Sequence, residues 1–503
     1  MLGQARRTRP VFEPEVVTDV VLPPRRRGDD PRTLRDLDGI VHVLTCGSVD
    51  DGKSSLIGRL LWDAGEVADD QRASLLRSAT AAGEPDLSLL VDGLLAEREQ
   101  GITIDIAWRY IDAGSRRVVI IDSPGHEQYT RNMASGASHA DVAVMLVDAR
   151  HGIKTQTRRH AAILDLVGVR RVVLAVNKMD LVGWSAQRFH EIEADFTRLS
   201  GKFGFHDARA IPLSAKLGDN VVRRSKHMAW YAGPTLLQHL DGVPSRGAAS
   251  ALPFRFPVQM VLRSPDFRGL AGSISAGCIA VGDVVRDAAS GLQARVSRIL
   301  TMDGDLPAAT SGRAVVLQLD RDLDIARGAV LAAGASEPKL ARGLEARLIW
   351  LSDAPLAPDQ RLLLRTPTDL VPVERLTVKA RLDLATLAQQ ATTTCAPNDI
   401  VAADIELGRP AVVDRFADVP ETGGFVLVDV LTGATVAGGV VRAVREHRPG
   451  ARRAEFRLTR GLLERGVCAG LSAEDPEFAR RAEEVRRLME TAGIHARIDL
   501  DVA

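Results

Sequence analysis

Residues 40–61 constrain this chain more than any other stretch. An apolar run, "IVHVL", leads into "TCGSVDDGKSSLIGRLL", which is polar and glycine-bounded at first and apolar-periodic after. The pattern G-x-x-x-x-G-K-[ST] is met by Gly47, Gly52, Lys53 and Ser54, with a strand before it and a helix after it. Glycines allow backbone N–H groups to turn inward at the positive end of a helix, which makes a cradle for phosphate oxygens. Gly47, Ser48, Val49, Asp50, Asp51, Gly52, Lys53, Ser54 and Ser55 are therefore the expected polyphosphate-binding residues. Lys53 would reach the β- and γ-phosphates, and the Ser54 hydroxyl would ligate Mg²⁺.

Three further signatures follow in order. "AEREQGITID" carries Thr103, expected to close over Mg²⁺ and the γ-phosphate and to let go when that phosphate leaves. "IIDSPGHEQYT" ends a strand: Asp122 would hold Mg²⁺ through water, with Ser123 and Pro124 in the turn. The Gly125 N–H would sense the γ-phosphate and His126 would orient the attacking water. "VNKMD" ends another strand. There Asp180 can accept from guanine N1–H and its exocyclic amine, Asn177 holds O6/N7 and ties the base loop to the phosphate loop, and the Lys178 stem covers the ring. Ser214, Ala215 and Lys216 in "PLSAK" form the loop whose backbone meets guanine O6. Adenine cannot offer Asp180 the same pair of donors, so the nucleotide expected is GTP. The catalytic set is His126, Thr103 and Lys53; the metal set is Ser54, Thr103 and Asp122.

At 503 residues the chain is long enough for about three domains, each with its own core. Residues 1–38 are arginine-rich and aperiodic, and are expected to be a disordered extension; Asp29 and Asp30 nearly balance Arg25, Arg26 and Arg27. Residues 39–245 alternate short apolar strands with helical stretches, as in a mostly parallel sheet flanked by helices. Residues 252–336 and 337–442 switch to short strands punctuated by glycine and aspartate, the texture of two β-barrels. Residues 443–503 form a short helical tail. In it Ser472 is the expected N-cap, Gly493 the stop, and Phe478, Ala482, Val485, Leu488 and Met489 share a face. A formal net charge of zero argues against a nucleic-acid partner, and no apolar run could span a bilayer. With no signal peptide and four scattered cysteines, each expected to pack in a core, the cytoplasm is the expected compartment.

The four signatures together make the chain resemble a translation-factor-type GTPase. "CGSVDDGKSSLIGRLL", "LLVDGLLAEREQGITIDIAWRY", "DSPGHEQYTRNMASGASHADVAV", "GIKTQTRRH" and "LGDNVVRRSKHMAWYAGPTLLQHL" are similar to one branch, the large subunit of bacterial sulfate adenylyltransferase. The resemblance is dense over residues 40–245, followable to about Val441, and departs at Ser123, where threonine is commoner. It implies GTP hydrolysis here, driving a small catalytic partner that joins ATP and sulfate into adenylylsulfate and pyrophosphate; no ATP or sulfate site is expected in this chain. Other readings are an adenylyltransferase-like partner of another kind, or a translation factor carrying aminoacyl-tRNA. The tail is similar to the middle of an adenylylsulfate kinase but lacks a second phosphate loop. It reads as a degenerate kinase remnant, or as an unrelated docking helix, and a separate kinase is a possible further partner.

Overall fold

The computed structural model describes residues 40–77, 85–91, 103, 105–114, 116–244, 250–265, 267–334, 337–446, 456–472, 475–491 and 496–499. The N-terminal extension and most of the stretch before Thr103 lie outside the described residues.

The first domain is a six-stranded sheet. Its strands are β1 (Ile40–Gly47), β2 (Ala107–Asp112), β3 (Arg117–Asp122), β4 (Val142–Asp148), β5 (Arg171–Asn177) and β6 (Asp207–Pro212), in the order β2-β3-β1-β4-β5-β6. All neighbours are parallel except the edge pair β2–β3. Every residue of β4 is buried, which is why that strand reads as a continuous apolar run rather than an alternating one. Helices α1 (Lys53–Ala64), α2 (Asp69–Arg77), α3 (Thr130–Ser138), α4 (Thr155–Leu166), α5 (Ala186–Ser200) and α6 (Leu236–Gly242) accompany the sheet. Leu56, Ile57 and Leu60 of α1 pack with Leu236 and Leu240 of α6 on one face; Met133, Ile163, Phe189 and Phe196 of α3, α4 and α5 pack on the other. Each buried α1 side chain is worth about 2 kcal/mol. The loop before α1 is thus anchored firmly on its downstream side.

Residues 254–333 form a curled antiparallel sheet of eight strands and a separate two-stranded pair. In the next domain a ring closes. Leu362–Arg365 pairs with Gly424–Asp429 on one side and Leu370–Leu382 on the other, and Thr435–Glu446, Lys339–Trp350 and Ile400–Val413 complete six strands around Leu348, Trp350, Ile405 and Leu427. The strand Thr435–Glu446 runs past residue 442. Between the two barrels, Arg255 (fully buried) donates from Nε and a terminal nitrogen to both carboxylate oxygens of Asp414, each at 2.9 Å; Thr422 Oγ1 adds a donor at 2.6 Å.

The third domain packs on the first. Ile349, Ile400 and Val440 join the core under α3 and α4, Arg347 pairs with Asp165 at 2.9 Å, and Arg131 donates to the Leu351 carbonyl at 2.8 Å. In the tail, strands Phe456–Thr459 and Ala496–Asp499 pair in parallel, with Arg460–Arg465 and Pro476–Thr491 helical between them. Phe478 and Ala482 are buried there as expected, with Val485 and Met489 packed alongside. Two expectations are corrected. The donor at the start of the helix, Glu477 N–H, is met by Asp475 Oδ1 at 2.9 Å rather than by Ser472, because Asp475 directly precedes Pro476 at the first helical position. Of the cysteines, Cys46, Cys395 and Cys468 are buried but Cys278 is exposed. In its three-residue strand, alternation turns Ile279 inward and Cys278 outward.

Candidate nucleotide site

Three of the four signatures lie at the C-terminal ends of β1, β3 and β5, where loops leave a parallel sheet and ligands ordinarily bind; of the fourth, which precedes β2, Thr103 and Asp105 are among the described residues. Gly52 is the N-cap of α1 with φ 95°, a left-handed conformation that a side chain would strain. No side chain caps α1 and no acid sits in its first turn, so its N–H groups and positive end stay available to an anion. A Cβ on Gly52 would lie 2.4 Å from Asn177 Nδ2. Here only glycine lets Asn177 at the end of β5 approach the loop before α1.

Asn177, at the end of β5, is the joint between them. Its Nδ2 donates to the Asp51 carbonyl at 2.8 Å, while its Oδ1 accepts from Ala215 N–H at 2.9 Å and Lys178 N–H at 2.8 Å. Asp180 accepts from the Ser214 hydroxyl at 2.7 Å, which orients its carboxylate. The Lys178 ammonium bonds the Asp50 carbonyl and lies 3.1 Å from Asp148, on the other side of the same loop. Arg59 of α1 holds the carbonyls of Ala215 and Lys216.

Lys53 is buried, and its ammonium donates to the carbonyls of Gly47 at 3.0 Å and Ser48 at 2.9 Å. Burial lowers its pKa, and Asp122 and Asp51 oppose that. Asp122 is fully buried at the end of β3 and accepts from Thr45 Oγ1 at 3.3 Å. The Ser123 hydroxyl donates to the Thr45 carbonyl at 2.7 Å, a role its extra-small side chain fills inside the packed turn. A Cβ on Gly125 would meet Lys53 Nζ at 2.3 Å and the Gly47 carbonyl at 2.7 Å, so the turn after Asp122 rests directly on the phosphate loop.

His126 is exposed; its Nδ1 accepts from Gln128 N–H at 3.3 Å and its ring meets Tyr129 edge-on. Thr103 is half-buried, and among the described residues no hydrogen bond ties it to the phosphate loop. Ser54 and Ser55 follow Lys53 in the first turn of α1, and Val49 and Pro124 lie within the two loops. Among the described residues no group of three or more His, Cys, Asp or Glu could enclose a metal. The Ser54 hydroxyl at the start of α1 and the Asp122 carboxylate are hard oxygen donors of the kind Mg²⁺ takes, with waters and phosphate oxygens completing its shell.

The signatures did not disclose the residues of α4 that grip this turn. Gln156 Nε2 donates to the Gly125 carbonyl at 3.4 Å and lies 3.0 Å from His160 Nε2. Arg159 pairs with Glu127 at 2.8 Å and donates to Gln156 Oε1 at 3.1 Å. His160 is buried, and burial, reinforced by Lys53 and Arg159, brings its pKa down to about 3. It is a neutral imidazole at physiological pH. All three residues belong to "TQTRRH", whose spacing of i, i+3 and i+4 puts them on one helical face; that was the available signal. Across the domain boundary, Asn398 donates to the Glu127 carbonyl at 3.4 Å.

Comparison with known proteins agrees with this geometry. Residues 38–245 match the elongation factor Tu GTP binding domain, and residues 343–442 match the GTP-eEF1A C-terminal domain-like family. Sulfate adenylyltransferase subunit 1 of Shewanella oneidensis is 46% identical over 413 residues, 80% of this chain and 85% of that protein. The subunit 1 of Methylorubrum populi is 47% identical over 410 residues, 80% of this chain and 87% of that one. The bifunctional enzyme NodQ of Rhizobium sp. strain N33 is 46% identical over 407 residues, 80% of this chain, but the match spans only 63% of NodQ. A solved structure of sup35 complexed with GMPPNP aligns at 25% identity and a TM-score of 0.38, over 83% of this chain and 97% of that one. The phosphate loop, the Asn177 joint and the subunit 1 relatives lead to one conclusion: the chain belongs to the sulfate adenylyltransferase subunit 1 family of GTP-binding proteins.

Proposed function

We propose that this chain is the GTP-hydrolysing subunit of a sulfate adenylyltransferase, driving formation of adenylylsulfate and pyrophosphate from ATP and sulfate on a small catalytic partner. The observation that carries the reading is the 46% identity to a subunit 1 over 85% of its length; the bonds from Asn177 to Asp51 and Ala215 support it. The domains run 39–245 for GTP, then barrels at 252–336 and 337–442. The tail beyond the strand Thr435–Glu446 is a kinase remnant, a reading supported by its likeness in sequence to the middle of an adenylylsulfate kinase and by its parallel strand–helix–helix–strand order. The cytoplasm is the proposed compartment; among the described residues no helix is long and apolar enough to cross a membrane.

In the proposed mechanism Gly47, Ser48, Val49, Asp50, Asp51 and Gly52 wrap the polyphosphate, and Lys53 leaves its two carbonyls for the β- and γ-phosphates. Ser54, Thr103 and Asp122 would hold Mg²⁺, which would supply charge neutralisation when bound. Asn177, Lys178, Asp180, Ser214, Ala215 and Lys216 select and hold guanine. His126 swings from its place beside Gln128 to orient water for attack on the γ-phosphorus; the bond to the β–γ bridging oxygen breaks, giving GDP and phosphate. The Gly125 N–H and Thr103 sense the γ-phosphate, and the Arg159–Glu127 and Asn398–Glu127 contacts pass its loss to α4 and the third domain. Adenylylsulfate formation is strongly uphill, which gives GTP hydrolysis something to drive. The test is pyrophosphate release by this chain mixed with a small sulfate adenylyltransferase subunit, ATP and sulfate. GTP should sustain it and a non-hydrolysable analogue should not. Equal rates with either nucleotide, in a preparation that binds GTP, would overturn the coupling.

A further inference from the structure

The phosphate loop contains a carboxylate where an anion is to be received. Asp51 is 2% exposed, its Oδ2 accepts from Ser48 N–H at 2.7 Å, and among the described residues its Oδ1 has no hydrogen-bond donor. Negative charge here opposes the very ligand the loop is built for, since two unit charges a few ångströms apart in a partly buried setting interact by several kcal/mol. Something must offset it. Four groups face Asp51: Lys53 from α1, Lys154 from the loop before α4, Asp148 from the end of β4, and the Ser48 N–H. Asp148 is itself occupied: despite burial, Arg150 and Lys178 hold its carboxyl well below the usual range. Lys53 sits on the Gly47 and Ser48 carbonyls and is the group that polyphosphate recruits. That leaves Lys154. Its Nζ is 3.6 Å from Asp51 Oδ1. Its backbone is pinned as the N-cap of α4 by Thr157, whose buried hydroxyl accepts from Lys154 N–H at 3.1 Å.

We propose that Lys154 is a positioning residue for the phosphate loop: its ammonium neutralises the buried Asp51 carboxylate, and so keeps the loop bent and receptive to a nucleoside polyphosphate. The proposal rests on the GTP reading of the loop. Asp51 is then held at both ends, its carbonyl by Asn177 and its carboxylate by Ser48 and Lys154, and the base-reading strand and α4 both bear on one residue of the cradle. Nothing in the G-x-x-x-x-G-K-[ST] pattern requires Lys154, which lies a hundred residues downstream.

The test uses the full chain and equilibrium binding of fluorescent GTP and GDP. Lys154→Met should weaken GTP by about tenfold or more, because it strands a buried carboxylate beside the ligand. Lys154→Arg should restore binding to within about threefold, since it keeps the cation. The decisive variant is Asp51→Asn with Lys154→Met. The amide still accepts from Ser48 N–H but carries no charge, so affinity should return to within about threefold of the wild type. Melting temperatures without nucleotide separate a folding defect from a loop defect. Wild-type affinity in Lys154→Met would overturn the proposal. So would a double variant no tighter than Lys154→Met, which would show that Lys154 acts through something other than Asp51. A wild-type chain that fails to bind GTP at all would remove the site reading and this proposal together, and only that outcome touches both.

Discussion

Asn177 donates to the Asp51 carbonyl across 2.8 Å, and this bond ties the loop after β5, the proposed base reader, to the loop after β1, the proposed phosphate cradle. The same side chain accepts from Ala215 and Lys178, so three loops from three strand ends meet on a single buried amide. Asn177→Ala should therefore do more than lose a base contact. Each hydrogen bond contributes about 1 kcal/mol and each partner left unpaired costs more, so a loss of about a hundredfold in affinity for GTP and GDP alike is expected. Titration with both nucleotides checks this; a selective loss of GTP alone would mean that Asn177 does not act on the shared part of the site.

The proposed reader of the base is Asp180, whose carboxylate Ser214 holds in place. Asp180→Asn replaces an acceptor with a donor on one side, so guanine N1–H and the exocyclic amine lose their partner. Affinity should move from GTP toward XTP by about a hundredfold each way, the scale set by mismatched buried hydrogen bonds. Competition of XTP against labelled GTP is the measurement. Unchanged GTP preference would take the base-reading role away from Asp180.

Much of the fold and of the proposed site was legible in the sequence, and the reasons are physical. A phosphate cradle needs glycine at positions fixed by backbone geometry, and a guanine reader needs a carboxylate at a strand end. Such local requirements leave compact patterns around Gly52 and Asp180. The supporting groups are different. Gln156, Arg159 and His160 act on Gly125 and Glu127 from a separate helix, and Lys154 acts on Asp51 across about a hundred residues of chain, so no short pattern records them. Cys278 shows the same limit in the barrels: its burial depended on which way a three-residue strand alternates, and flanking residues did not decide that. The Arg255–Asp414 pair, 159 residues apart in sequence, became visible only when the barrels were brought together.

His126 tests the chemistry rather than the binding. In this structure its imidazole caps the short turn that follows it and is exposed to solvent. His126→Ala should leave GTP affinity within about threefold of wild type while slowing hydrolysis about a hundredfold, the usual worth of a group that positions a reacting water. Single-turnover phosphate release, with and without the partner subunit, measures it. A normal stimulated rate would remove His126 from the mechanism.

The barrel–barrel contact predicts a stability effect remote from the nucleotide. Arg255 is fully buried against Asp414, so Arg255→Met strands a buried carboxylate and should cost about 3–5 kcal/mol. Arg255→Met with Asp414→Leu should recover most of that loss, because an apolar pair of similar volume avoids the desolvation of both charges. Calorimetry resolving the barrel transition distinguishes the two variants. If the single and double substitutions melt alike, packing rather than charge dominates the contact.

His160 gives the chain a pH dependence whose sign can be worked out. Burial, then the nearby Lys53 and Arg159, lower its pKa from 6.5 to about 3, so the folded protein keeps the imidazole neutral. Unfolding frees it to take up a proton below 6.5. The stability due to the neutral ring is therefore whole above pH 6.5 and is lost progressively as pH falls toward 3. Between about pH 6.5 and 5, where ordinary carboxylates are still ionised, the loss amounts to about 2 kcal/mol at most. His160→Gln keeps a polar group beside Gln156 but cannot titrate, so the gap in unfolding free energy between wild type and variant should narrow as the solution is acidified. Denaturant unfolding at about pH 7.5, 6.5, 5.5 and 5.0 reads this directly. Parallel curves for the two proteins would mean that the imidazole is not held neutral in the fold, and that the grip of α4 on the Gly125 turn does not depend on excluding that proton.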